Sequence, residues 1–594
     1  MLSALSWINL QNKWLVSILF AALFLCLILR AILVEPLLDE LGTLFWYIQT
    51  GNILNDKAVL DANNHLLNSF VGHYSYKIFG DHLLAYRLLS IASFPIYFFS
   101  AKKLVKENIK QFQFVIFLAL ISIPWIFDYF SLSRGYAPSV AFFMLGLSFI
   151  LDWNLSFKPK YLVIISLSFI LCLLSNLSMI VPIMLIFGYL ILIFLLHWKQ
   201  QSVINKIQIF CISLLFLYPI YKIYFHIEKL KEAGALWWGS KNGLWEVTGK
   251  SVSENIFFTN SEIVKYGLII LFIILIFAFI YHLKKGLKTF ILSIQFWSFF
   301  LLLLCLVSAV LLVLFMDVNY PQDRVAMYLV VLLILSFGSL ISEIKGLKWL
   351  LISLLWFPIS FVSKVNLNTT IFSPQDRIHT TFFNEIQKIV TSQDMLTADY
   401  VAHACYAYAS RNSKNTKMAV LNHSDTLIGE DFRLESFYGS IKDWSNYTCI
   451  LSDDITKMKL YKRIKISPQI QLKDTTIRQI ESNQMYIPLI SYRFDENSKI
   501  SNLKVVVESK ISIDKGVLSL NLIQDIADSE KTFQDYNSTL FDWYFGHKKT
   551  YAFNYSRRIA VQNLHDKTLT VYLYNPELIN VNINDFQVKI YGIE

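Results

Sequence analysis

From Trp14 to Val362 the chain is a succession of long apolar runs separated by polar stretches, and after Ser363 it takes on the mixed pattern of a globular chain. An α-helix needs about 20 apolar residues to cross the hydrocarbon layer of a bilayer. Runs at 14–33, 83–100, 112–130, 137–151, 161–174, 179–196, 207–225, 267–281, 290–315, 327–341 and 349–362 meet or approach that length, which predicts about eleven spans. The runs at 161–174 and 349–362 are short for the task. No small-residue cleavage site follows the first run, so 14–33 is expected to remain as a span and to act as the targeting signal.

Beyond 363 the periods change. Residues 380–390 have the period of an amphipathic helix, 395–400 and 417–421 read as strands, and 402–411 as a helix between them, which makes a small α/β unit. From 467 onward, alternation at 503–507, 517–522, 569–574 and 586–591, with turn residues between, predicts a β-sandwich. The expected organisation is an α-helical polytopic membrane domain at 1–362 with a long first outer loop at 35–82, an α/β segment at 363–466, and a β-sandwich-like accessory domain at 467–594.

Composition supports this division. Charged residues make up 16% of the chain, against roughly a quarter in soluble proteins. The net charge of +10 is concentrated in the membrane half. Every second loop is short and basic: Lys102, Lys103, Lys106 and Lys110; Lys158 and Lys160; Lys199 and Lys206; Lys284, Lys285 and Lys288; Lys345 and Lys348. The alternate loops, 35–82, 131–136, 175–176, 226–266 and 317–326, are poorer in Lys and Arg for their length. The positive-inside rule then puts the N-terminus in the cytoplasm and the C-terminal part outside a plasma (inner) membrane. No basic face for nucleic acid is visible. Cys26, Cys172, Cys211 and Cys305 lie in apolar runs as packing residues, and Cys405 and Cys449 could pair in an oxidising compartment. No zinc spacing occurs.

Candidate chemistry lies in the outer loops. The first opens with Glu35-Pro36-Leu37-Leu38-Asp39-Glu40, where Asp39 is placed to cap an interfacial helix over 41–49. It continues through Asn63-Asn64-His65 to a second amphipathic stretch, 66–79, and there a loop turn followed by a cap is the plain alternative to a functional motif. Trp237, Trp238 and Trp245, in the loop 226–266, suit sugar stacking or interfacial anchoring.

These features together resemble the GT-C superfamily of membrane glycosyltransferases, in particular glycosyltransferase family 39-like proteins such as protein O-mannosyltransferases and bacterial lipid A aminoarabinose transferases. Asp39-Glu40 is similar to the acidic motif that follows the first span in that family. Asn63-Asn64-His65 resembles an Asn/His-rich motif of its bacterial members. Ser131-Leu132-Ser133-Arg134-Gly135-Tyr136 and Tyr320-Pro321-Gln322-Asp323-Arg324 resemble its later outer motifs, and 382–411 resembles the element that often follows its last span. The likeness covers most of 14–421, and the terminal β-rich part has no clear counterpart.

The resemblance implies sugar transfer from a polyprenyl-phosphate donor to a glycan, lipid or protein acceptor, with inversion by single displacement. It implies Asp39 as catalytic base, with Glu40 orienting it or holding a divalent metal. No ligand cluster calls for a metal, and no other cofactor is implied. Asn63, Asn64, His65, Arg134, Tyr136, Tyr320, Asp323 and Arg324 become candidate substrate-binding residues. An arginine fork suits phosphate oxygens, although Arg134 and Arg324 could equally touch lipid headgroups or snorkel. Two rival readings are a polysaccharide polymerase or ligase using a diphosphate-linked oligosaccharide, and a non-catalytic lipid or glycan transporter. A large loop late in the membrane body would favour the first, and ionisable residues inside spans with two similar halves the second.

Overall fold

The computed structural model describes residues 10, 12–236, 238–284, 286–391, 393–411, 418–465, 468–494, 500, 502–514, 519–528, 532–546, 549–560 and 564–593. Trp237 and Lys285, and the predicted strand ends at 417 and 517, lie outside them. The chain forms two compact units, one of Met1–Val34 and Trp46–Phe372, the other of Glu35–Phe45 and Ser373–Glu594.

In the first unit every predicted run is helical. Among the described residues, eight helices are long and apolar enough to cross a membrane: Lys13–Leu33, Leu83–Asn108, Tyr136–Ser156, Leu177–Leu196, Val203–Glu232, Glu262–Leu283, Ile294–Met316 and Asp323–Ser342. Gln113–Ile121 and Pro124–Phe130, bent by 51° at their junction, make a ninth if taken as one span. The bend falls where Pro124 lacks the N–H that would continue the helix. The other two predicted spans fall short. Pro159–Ser175 is a shorter apolar helix, and the last run is a 3₁₀ segment, Lys348–Leu355, followed by the helix Trp356–Lys364. The count is therefore eight or nine full-length spans, where about eleven were expected. Large apolar side chains such as Leu215 and Phe315 remain 75% and 80% exposed on these helices. Repeated on helix after helix, that surface calls for lipid as solvent and marks an integral membrane protein.

Contacts within this unit sort its loops into two groups. The basic loops meet one another: Lys103 donates to Asp152 at 2.6 Å, Asn205 to the Phe157 carbonyl at 3.1 Å, Asn154 to the Leu292 carbonyl at 3.2 Å, and Lys110 pairs with Glu343 at 3.6 Å. The Lys-poor loops meet at the site described below. The alternation of basic loops is thus matched by geometry.

The second unit holds the C-terminal part. A five-stranded sheet runs in the order Asn422–His423, Leu396–Ala398, Phe432–Glu435, Lys459–Arg463, Tyr447–Ser452, with its first three strands parallel. The helices Thr380–Ile389 and Tyr400–Arg411 accompany it. Two further sheets follow. One orders Phe533–Leu540, Asn521–Ala527, Thr568–Tyr574 and Tyr486–Arg493. The other orders Met418–Val420, Thr550–Ala560, Asn502–Ile513, Val581–Ile593 and Gln469–Ser482. They face each other as a sandwich: Asn537 donates to the Tyr555 hydroxyl at 2.7 Å, and Arg557 pairs with Asp535 across the gap. Met418–Val420, from the α/β segment, pairs in parallel with Thr550–Ala560, so the two C-terminal parts share a sheet.

Cys405 and Cys449, which could have paired in an oxidising compartment, do not pair. Both are free, Cys405 buried in the helix Tyr400–Arg411 and Cys449 exposed on its strand.

Candidate active site

The acidic motif belongs to the second unit. Its helix starts earlier than expected, at Leu38–Thr43, and continues as a π-helical turn, Leu44–Ile48. The capping reading of Asp39 is overturned by this start: Leu37 is the N-cap, and Asp39 is the second residue of the helix. Glu40 does the capping instead, its Oε2 accepting from the Leu37 amide at 3.1 Å, which accounts for its burial. Asp39 is half-buried.

The segment ahead of this helix is fastened to the chain that follows the last apolar helix. Leu37 bridges Arg377 in antiparallel fashion, the Ile378 amide donates to the Pro36 carbonyl at 3.1 Å, and the Thr380 amide donates to Glu35 at 3.0 Å. Tyr438 donates to Asp376 at 2.7 Å. Burial, then the Asp376 carboxylate and more weakly that of Asp39, push the Tyr438 phenol up from its usual value. Beyond the motif, Phe45 stacks on Trp543 at 4.9 Å between centroids, and the Arg411 guanidinium lies 5.5 Å from the Phe45 ring. Residues far apart in sequence thus hold Glu35–Phe45 at both ends. No local pattern announces Arg377, Asp376, Tyr438 or Trp543.

The other eight candidates belong to the membrane unit, where three gather around the ring of a fourth, Tyr136. His65 packs edge-on to Tyr136 at 4.6 Å. The Arg134 guanidinium lies 5.4 Å from the centroid of that ring, and Arg324 Nε donates to the Tyr136 hydroxyl at 3.1 Å. Arg324 also lies 4.8 Å from the Trp238 ring, which gives that tryptophan a cation–π partner. Arg134 is buried and Arg324 half-buried. Tyr136 and Asp323 each open a candidate span, so the cluster lies at the ends of two apolar helices. Arg134 is held from behind, its carbonyl accepting from Ser90, while Ser133 donates to the Tyr86 carbonyl and accepts from Asn68.

Close approach of three loops makes this gathering. A Cβ on Gly135 would sit 1.8 Å from the Ser175 carbonyl oxygen and 2.7 Å from His65 Cβ, so only glycine lets the loops meet. The Ser175 carbonyl is itself 2.9 Å from His65 Nδ1. Asn64 ties down its own loop, donating to the Ile53 carbonyl and accepting from Ser69. Asn63 takes part in a turn in which its amide donates to Asp61. These two asparagines do what a loop turn asks of them.

The motif Tyr320–Arg324 rests on the loop 226–266. The Tyr320 amide donates to the Ser240 carbonyl, Thr248 donates to the Pro321 carbonyl, and the Asp323 amide donates to Ser251. Tyr320 packs with Val247 and Ala309 and is a core residue. Asp323 adopts a left-handed φ of 47°, which turns the chain so that Arg324 follows at the head of the helix.

A third charged group was not anticipated as a unit. Arg30 pairs with the buried Asp128, whose other oxygen accepts from the Ile371 amide at 2.9 Å, and Arg87 donates to the carbonyls of Ala31 and Val34. A carboxylate inside the apolar run 112–130 was the available signal. Among the described residues, no three or more His, Cys, Asp or Glu side chains gather as a metal site.

No family profile matches the chain, and no curated protein matches it. Among solved structures, the crystal structure of ArnT from Cupriavidus metallidurans in the apo state is similar over 76% of this chain and 98% of its own, at 11% identity and a TM-score of 0.34. A superposition this loose carries no argument about activity.

Proposed function

We propose that this protein is a GT-C-type, family 39-like glycosyltransferase that moves a sugar from a polyprenyl-phosphate donor to a glycan, lipid or protein acceptor on the extracytoplasmic side of the membrane. The observation that carries this reading is the placing of Arg134 and Arg324 around Tyr136 at the ends of two apolar helices. A donor whose prenyl tail stays in the bilayer presents its phosphate at that level. In transfer, the acceptor oxygen attacks the anomeric carbon, the bond from that carbon to the phosphate oxygen breaks, and the leaving polyprenyl phosphate gains negative charge. Guanidinium groups fixed beforehand stabilise that charge without reorganising. Asp39 takes the acceptor proton, a role consistent with its freedom from capping. Attack opposite the leaving phosphate inverts the anomeric centre.

Mass spectrometry of lipid-linked sugars and surface glycans, with and without the gene, tests the reading. Loss of one glycan unit while its lipid-linked donor accumulates is the expected result. An unchanged glycan profile with no donor build-up would overturn it.

A further inference from the structure

The two outward faces of the sandwich differ in kind. Along Thr568–Tyr574 burial alternates, with Leu569, Val571 and Leu573 inside and Thr570, Tyr572 and Tyr574 outside. Register carries the outward face across all four strands. Tyr574 stands beside Tyr486, Tyr572 beside Ile523, and Thr570 beside Asp525, which in turn stands beside Tyr536. Phe533 closes the far edge. Tyr486, Tyr536 and Phe533 are all more than half exposed. Tyr486 lies 5.4 Å from Tyr574 and 6.0 Å from Tyr572, and Phe533 lies 6.0 Å from Tyr536. On the other sheet the matching outward row carries Glu508, Lys510 and Lys589, while Lys504 in the same row is buried and paired with Asp431 at 2.9 Å.

Folding alone does not call for five aromatic rings on a solvated sheet face, and exposed aromatic surface invites aggregation. These rings are interleaved with groups that hydrogen-bond in both senses. Asp525, all but buried among them, adds a fixed acceptor beside the Thr570 hydroxyl. Flat aromatic faces carry negative charge density that attracts C–H groups, and sugars present C–H faces with hydroxyls at their rims. Apart from Asp525, the only charged side chain in this register is Arg493 at one corner, where it pairs with Asp566 at 3.1 Å. That favours a neutral ligand. Four strands span about 14 Å, room for roughly three sugar rings.

We infer that the outward face of this four-stranded sheet is a binding platform for a neutral oligosaccharide. The inference does not depend on catalysis by Asp39, and binding should persist in Asp39→Asn. Full-length protein in detergent is titrated by calorimetry with maltohexaose, cellohexaose, mannohexaose, xylohexaose and chitohexaose. Saturable binding of at least one is expected. The double variant Tyr486→Ala/Tyr574→Ala should weaken it about tenfold or more with unchanged thermal unfolding, and Tyr536→Ala, at the other end of the row, should weaken it as well. Binding of none of the five, or equal binding by these variants, would overturn the inference. So would loss of self-association or of vesicle binding in the double variant while sugar binding stayed intact.

Discussion

Asp39 and Arg324 are the residues on which the chemical reading turns. Because Glu40 rather than Asp39 makes the capping bond, Asp39→Asn removes a proton acceptor while leaving the helix start in place. Turnover should fall by roughly 10²–10⁴-fold, with donor affinity and thermal stability near wild type. Near-normal turnover of the purified variant would exclude Asp39 as the base. Arg324 is placed by Nε on the Tyr136 hydroxyl, with its guanidinium 4.8 Å from the Trp238 ring. Lysine keeps the charge but loses the fork and the Nε bond to Tyr136. Arg324→Lys should therefore impair turnover clearly, and wild-type rates in a folded Arg324→Ala variant would remove it from the donor site.

At the scale of elements, the loops around Tyr136 depend on the absence of one side chain. Gly135→Ala should destabilise the membrane unit by about 2–3 kcal/mol, because the rigid Ser175 carbonyl blocks the new methyl group. A thermal melt equal to wild type would mean that the loops part easily. The helix Asp542–Phe545, which carries Trp543 to Phe45, holds a titrating element. Burial pushes the Asp542 carboxyl up to about 6 from 3.8, against the opposing pull of Arg411. Burial pushes His403, which packs near Trp543, down to about 3 from 6.5.

The signs of these two effects are opposite. Asp542 binds its proton more tightly when folded, so its contribution to stability is lost as pH rises from 3.8 to about 6. His403 binds its proton less tightly when folded, so its contribution is lost as pH falls from 6.5 toward 3. Across pH 4–6 the two slopes oppose. Asp542→Asn removes the first, so the stability of the variant relative to wild type should climb from pH 4 to 6.5, by on the order of 2–3 kcal/mol. Thermal melts of both proteins across that range check this, and a constant difference would show that Asp542 does not titrate there.

For the whole molecule, the grouping of the basic loops by contact makes sidedness a single question. An alkaline phosphatase fusion after Val362 should be active and one after Lys288 inactive. The reverse result would turn the Lys-poor loops, and the Tyr136 cluster with them, toward the cytoplasm.

The apolar runs determined the helices of the membrane unit by themselves, because the cost of an unsatisfied backbone in lipid leaves a long apolar segment little choice but helix. Alternation likewise marked the sandwich strands at 503–507, 569–574 and 586–591, whereas 517–522 meets its strand, Asn521–Ala527, only at the end, and loop charge grouped the loops that contact one another. The motifs at His65, Arg134, Tyr136 and Arg324 were legible as separate candidates. Only tertiary structure decided that they meet on one ring, since the close approach of three of these loops depends on a carbonyl and a missing Cβ that no local pattern encodes. It also decided that Glu40 caps the acidic helix and Asp39 does not, because a helix start shifted by a few residues changes which side chain faces the orphan amide. The assignment of Glu35–Phe45 to the unit built from the C-terminal chain rests on contacts separated by more than three hundred residues, such as Thr380 with Glu35. Sequence periodicity reports an element's own face and carries no information about which distant segment will cover it.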